Sequence, residues 1–305
     1  MSLLARISPT IDERSARLAG IGLMLLGVFM FSFGDALGKY LVSTYAVGQL
    51  LWLRACAALL LLSPLVWRHR REFLALERPG LQAIRVVLST LEVAAFFLAT
   101  VYLPLADVTT YYLACPIFVT ALSALVLREQ VGWRRWAAIL IGFCGVLIAL
   151  RPSAQTISWP AMIALGGSLS FSVLMLITRI LRATPDIVMA TTQFVGTFVL
   201  GALMSPFGWV TPGAGSLAMF AAAGCISVTA LICVNRSLKL APASLVVPYQ
   251  YSMIVWAVMF GITVFGDVPQ PTTIVGAAII IGAGLYIFLR ERKLGREEAT
   301  INPPA

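Results

Sequence analysis

The chain has 305 residues, 60% of them hydrophobic and only 11% charged, and its mean hydropathy is +0.93. A soluble domain carries about 25% charge, so this composition excludes a water-soluble globule; ten spans of about 21 residues would also leave no room for a separate soluble catalytic domain. The net charge of +9 could suggest a nucleic-acid binder, but in a lipid-embedded chain basic residues set topology from the cytoplasmic side, and no nucleic-acid partner is expected.

Taken in chain order, the polar stretch 1–17 reads as a cytoplasmic tail, and the apolar run after it is longer than a signal peptide's core. Apolar runs follow at about 18–38, 49–67, 81–102, 105–127, 133–150, 158–178, 187–206, 215–235, 243–266 and 272–289, and residues 291–305 form a second cytoplasmic tail. Given some tilt, each run can cross about 30 Å of hydrocarbon at about 1.5 Å per residue. Strand alternation is absent, so the runs predict helices and an all-α membrane protein of ten spans.

Basic residues orient those spans. With both termini inside, only Lys39 and Arg151 of the 22 basic residues fall outside and Arg54 falls within the membrane, leaving 19 on the cytoplasmic side, Arg85 at the foot of the third span included. The strongest cluster is Arg68, Arg70, Arg71 and Arg78. His69 lies among these arginines and reads as a solvated loop residue. The five cysteines lie in apolar runs at no metal-ligand spacing, so neither a metal nor a disulfide framework is expected.

The two halves, 18–151 and 158–290, repeat each other. Phe31-Ser32, Lys39 and Leu41 recur as Phe171-Ser172, Arg179 and Leu181; Gly27 maps to Gly167, Leu105-Ala106 to Leu240-Ala241, Glu129 to Asp267, and Arg151 to Arg290. Five spans per copy is an odd number, so the second copy enters from the opposite side, giving inverted-topology repeats and a basis for alternating access. Arg128, Arg134 and Arg135 flank the turn after span four, whereas the matching turn after span nine has no basic residue, in keeping with inversion.

The stretch LPLADVTTYYLACPIFVTALSALVLREQVGWRRWAAILIGFCGVLIALR (103–151) resembles an EamA repeat of the drug/metabolite transporter superfamily. LKLAPASLVVPYQYSMIVWAVMFGITVFGDVPQPTTIVGAAIIIGAGLYIFLR (238–290) resembles the same repeat, with Asp267 where Glu is usual. The resemblance implies ten spans, cytoplasmic termini and carriage of small organic metabolites without ATP. GDALGKYL (34–41), Arg54 and APASLVVPYQY (241–251) are similar to uptake-carrier branches of bacterial inner membranes, the riboflavin and S-adenosylmethionine importers among them.

Charged groups in a bilayer are costly, so each needs a reason. Glu92 sits about 16 Å into span three, its counterpart in the second repeat falling near Ser227, and suits either proton coupling or substrate binding; the plain alternative is a protonated Glu92 hydrogen-bonded to a neighbouring hydroxyl such as Ser89. Asp35 and Arg54 lie shallower. Asp35 and Lys39, four apart, could pair, with Arg54 joining them as a structural or gating cluster, or they could meet the ligand. Tyr111 in span four, and Tyr249, Gln250 and Tyr251 in span nine, occupy equivalent elements of the two repeats. They read either as interfacial anchors or as the aromatic lining of a midplane cavity, where Pro116 and Pro248 would break their helices. Gly34 and Gly38 read as a close-packing pair rather than a phosphate loop.

No nucleophile has a base beside it, so neither catalysis nor a cofactor is expected. A lipid-modifying enzyme would need an interfacial cluster of His, Asp or Glu that is missing. The expectation is a secondary importer of a small metabolite, riboflavin first for its stacking surface. S-adenosylmethionine uptake and export of amino acids or drugs are the alternatives. The candidate substrate-binding residues are Glu92, Arg54, Asp35, Tyr111, Tyr249, Gln250 and Tyr251; monomer and homodimer both remain open.

Overall fold

A computed structural model describes residues 8–73, 78–115, 117–119, 122, 133–150, 158–181, 183–240 and 247–301. These residues hold ten α-helices: α1 (Ser8–Val42), α2 (Val47–Arg68), α3 (Pro79–Tyr102), α4 (Leu105–Tyr112), α5 (Trp133–Leu150), α6 (Trp159–Ile180), α7 (Asp186–Met204), α8 (Ala214–Leu240), α9 (Met253–Phe260) and α10 (Pro271–Ile301). Hydrocarbon offers no partner for a peptide group, so long apolar runs bond internally as helices. Prolines punctuate the starts: Pro79, Pro104, Pro160, Pro185 and Pro271 stand at or beside the first turns of α3, α4, α6, α7 and α10, where a missing amide proton costs nothing.

Six of these helices are long and apolar enough to cross a membrane, while the apolar stretches Leu105–Val119, Trp136–Ala149, Tyr249–Phe265 and Pro271–Ala283 are shorter. Two helices outrun their apolar segments: α1 begins at Ser8 and α10 continues to Ile301, through charged residues that are themselves good helix formers. Span nine is not one uniform helix. A 3-10 segment, Val247–Ser252, leads into α9, and a π-turn, Gly261–Phe265, ends in Gly266 at φ 67°. Pro248 therefore lies in the 3-10 segment, while Pro116 and the far end of span four lie outside the described residues.

Helix neighbours obey one exchange rule. Adding five to each helix number turns α1 against α8 into α6 against α3, α2 against α8 into α7 against α3, and α1 against α9 into α6 against α4; α2–α7 and α5–α10 map onto themselves. This is the pairing that two inverted five-helix repeats produce. Repeat-related glycines occupy matching seams: a Cβ on Gly27 of α1 would strike Val234 of α8, and one on Gly167 of α6 would strike the Tyr112 hydroxyl and crowd Ala95 of α3. At Gly145 and Gly276, α5 and α10 meet through their backbones.

Polar contacts sort by end of the bundle. Tyr45 donates to Ser216 and Gln49 to the carbonyl of Val210 where α1/α2 and α7/α8 turn. At the opposite end, shared by the termini, Gln82 donates to Thr184 and Ser237 to the carbonyl of Gly20.

Candidate functional site

A cavity of about 220 Å³ lies between the two repeats, lined by side chains from α1, α2, α3, α6, α7, α8 and α9, Tyr112 of α4, and the 3-10 segment. Its charged groups are Asp35, Arg54, Arg85 and Glu92. Aromatic rings make much of the remaining wall, among them Phe96, Tyr112, Phe171 and Tyr251.

Small residues let the larger ones take their places. A side chain on Gly38 would collide with the Phe97 ring, so glycine there lets Phe97 press under Arg54, whose guanidinium lies 4.8 Å from the ring centroid. Gly224 brings α8 onto the backbone of α2 at the carbonyl of Arg54. Phe97 meets Phe96 edge-on at 5.4 Å, and Phe96 meets Tyr112 edge-on at 5.2 Å. Gly167 leaves room for the Tyr112 hydroxyl, which donates to the backbone carbonyl of Glu92 at 3.0 Å. Gly34 faces Ile226 and Ser227, so it and Gly38 serve different neighbours rather than one seam.

Arg54 is 6% exposed, and its Nε has no hydrogen-bond partner. Asp35 and Glu92 act on it through space, but no ion pair joins either carboxylate to it among the described residues. Ser89 does not hold Glu92: its hydroxyl donates to the carbonyl of Val86 at 2.9 Å. Asp35 does not pair with Lys39 either. Lys39 instead reaches across the repeats to Asp267 at 2.5 Å, over the Phe265 ring at 4.7 Å, which leaves Asp35 to the cavity.

The structure brings Asp35, Arg54, Glu92, Gln250 and Tyr251 to one cavity and keeps Tyr111 and Tyr249 off its wall. Tyr111 is buried among core residues such as Leu105 and Val108, and Tyr249 packs beside Met24 and Val234. The α4 tyrosine in the wall is its neighbour Tyr112, because consecutive residues point about 100° apart on a helix. Arg85 is a further departure. Counted with the cytoplasmic basic residues at the foot of the third span, it is instead 3% exposed inside the bundle, donating from Nε to Thr178 Oγ1 and from Nη1 to the carbonyl of Met189, both at 3.1 Å. The signal for it was Pro79: a helix opening there carries Arg85 about 9 Å inward. Gln193 and Asn235, which had no motif to mark them, also line the cavity.

Such a chamber can hold a small molecule against charges of both signs and rings, beneath a cross-repeat ion pair. Among the described residues no group of three or more His, Cys, Asp or Glu could hold a metal.

The model of the EamA-like transporter family matches residues 18–151 and again 158–289. An S-adenosylmethionine uptake transporter of Rickettsia felis is 25% identical over 92% of this chain and 96% of its own length. A riboflavin transporter of Rhizobium johnstonii is 29% identical over 81% of this chain and 87% of its own, and a pseudopaline exporter of Pseudomonas aeruginosa 26% identical over 87% and 94%. A solved crystal structure superposes with a TM-score of 0.65 over 92% of this chain and 99% of that one, at 18% identity, and shares the fold.

Proposed function

The chain belongs to the EamA-like transporter family, and from that premise we propose that it is a secondary carrier importing a small zwitterionic metabolite with a further cationic centre, S-adenosylmethionine first. One observation carries this reading: two carboxylates, Asp35 and Glu92, and two guanidiniums, Arg54 and Arg85, face a single buried cavity. Dehydrating four charges is costly unless the occupant returns charge of both signs. A sulfonium and an ammonium would meet the carboxylates, a carboxylate would meet an arginine, and an adenine ring would lie against the aromatic wall. Relatives named for uptake of this compound match nearly the whole chain.

Riboflavin, the first expectation from the tyrosine pattern, is the second reading. Tyr112, Tyr251, Phe96 and Phe171 favour it as stacking partners. It brings no charge to the four ionisable groups, and Tyr111 and Tyr249, which suggested it, stand off the wall. The reading places the carrier in the bacterial inner membrane with both termini cytoplasmic; the orientation is supported by the basic residues concentrated in the tails and loops read as cytoplasmic.

Direct binding to the purified protein in lipid nanodiscs separates the two. Saturable binding of labelled S-adenosylmethionine, undisturbed by excess riboflavin, is expected. Binding of riboflavin alone would reverse the order, and binding of neither would remove both substrates.

A further inference from the structure

Arg85 is buried, and among the described residues no carboxylate answers its charge. Its two protein contacts go to neutral acceptors, the Thr178 hydroxyl and the Met189 carbonyl, and no ion pair reaches it among the described residues. The situation of Arg54 is different, since both Asp35 and Glu92 act on it. A guanidinium has five N–H donors, so two contacts leave three uncommitted on a side chain that lines the cavity. Along α3, Arg85 lies seven residues from Glu92, about 10 Å toward the end of the bundle shared by the termini. Among the described residues the cavity is thus polarised: both carboxylates and Arg54, which lies in their field, occupy one part, and Arg85, with no ion pair, occupies the other.

We infer that Arg85 is a specificity-determining residue that binds the carboxylate of an α-amino-acid moiety, fixing the substrate's orientation with its cationic centre toward Asp35 and Glu92. The inference rests on the zwitterion reading above and sharpens it by naming which cation answers which group. Thr178 and the Met189 carbonyl act as positioning groups: they take the Nε–H and one Nη1–H, leaving both N–H donors of Nη2 and the second of Nη1 for a carboxylate. Arg54, already within the field of two carboxylates, is left to balance them.

The test compares S-adenosylmethionine with its decarboxylated analogue, which keeps the sulfonium, amine and adenine but lacks the carboxylate. Binding is measured on the full chain in nanodiscs, for the wild type, Arg85→Gln and Arg85→Lys. The wild type should prefer S-adenosylmethionine about ten-fold or more; Arg85→Gln should abolish that preference by weakening S-adenosylmethionine alone, and Arg85→Lys should retain part of it. If the wild type binds both ligands equally, or Arg85→Gln weakens both alike, Arg85 does not read the carboxylate, although the carrier reading stands. A wild type that binds neither ligand overturns the substrate reading and this inference together. Where Arg85→Gln fails to fold, Arg85→Lys carries the assignment: a preference undiminished in that variant overturns the role of Arg85, as does equal binding of the two ligands by the wild type.

Discussion

A single helical step separates a core residue from a wall residue in α4, and the two tyrosines there should respond differently to truncation. Tyr111 sits among buried apolar side chains, so Tyr111→Ala should destabilise the protein by about 3 kcal/mol, seen as a lowered unfolding midpoint, while the surviving protein keeps its KM. Tyr112 faces the cavity, so Tyr112→Ala should raise KM several-fold. The opposite assignment of effects would place Tyr111 in the wall. For Glu92, whose carboxylate opens on the cavity and which Ser89 does not bond, Glu92→Gln should cut transport at least ten-fold and leave the unfolding midpoint nearly unchanged. Loss of folded protein instead would give Glu92 a structural role.

At the scale of elements, glycines set how closely the helices approach. A side chain on Gly201 of α7 would fall on the backbone of Trp52 in α2, so Gly201→Leu should separate α2 from α7 and lower the unfolding midpoint sharply. Gly166 of α6 faces open space, and Gly166→Ala should be neutral or slightly stabilising, by up to about 1 kcal/mol. Equal loss in both variants would deny that backbone approach is the cause. The helices themselves were legible in the sequence because hydrocarbon forces apolar runs into internal hydrogen bonding, and the repeat was legible through pairs such as Gly27 and Gly167. Glu92 was legible as a carboxylate too deep in a span to be solvated. Partner choice was not: Lys39 has Asp35 four residues away yet pairs with Asp267, 228 residues on, because helix packing and not sequence spacing decides which carboxylate it reaches. Arg85 was hidden for a related reason. A basic residue near a span end looks like a topology signal until packing seals it inside the bundle.

Across the whole molecule, two inverted repeats enclose a cavity that carries four ionisable groups in a largely apolar wall, and a Lys39–Asp267 bridge ties the end of α1 to the turn that follows α9. An alternation between halves would have to break and remake such cross-repeat contacts, while α2–α7 and α5–α10 stay packed as the seams that map onto themselves. Even helix number returns the chain to its starting side, so reporter fusions at Ala305 should score as cytoplasmic and fusions just after Asp267 as periplasmic. A periplasmic C-terminus would refute the proposed orientation. The most direct measurement of the carrier claim is counterflow in proteoliposomes holding the purified full-length chain. Vesicles preloaded with unlabelled S-adenosylmethionine should transiently accumulate the labelled compound above its external concentration, with no ATP present and no accumulation in empty vesicles. Equal uptake with and without preloading, or none with any of the candidate metabolites, would contradict carriage by alternating access.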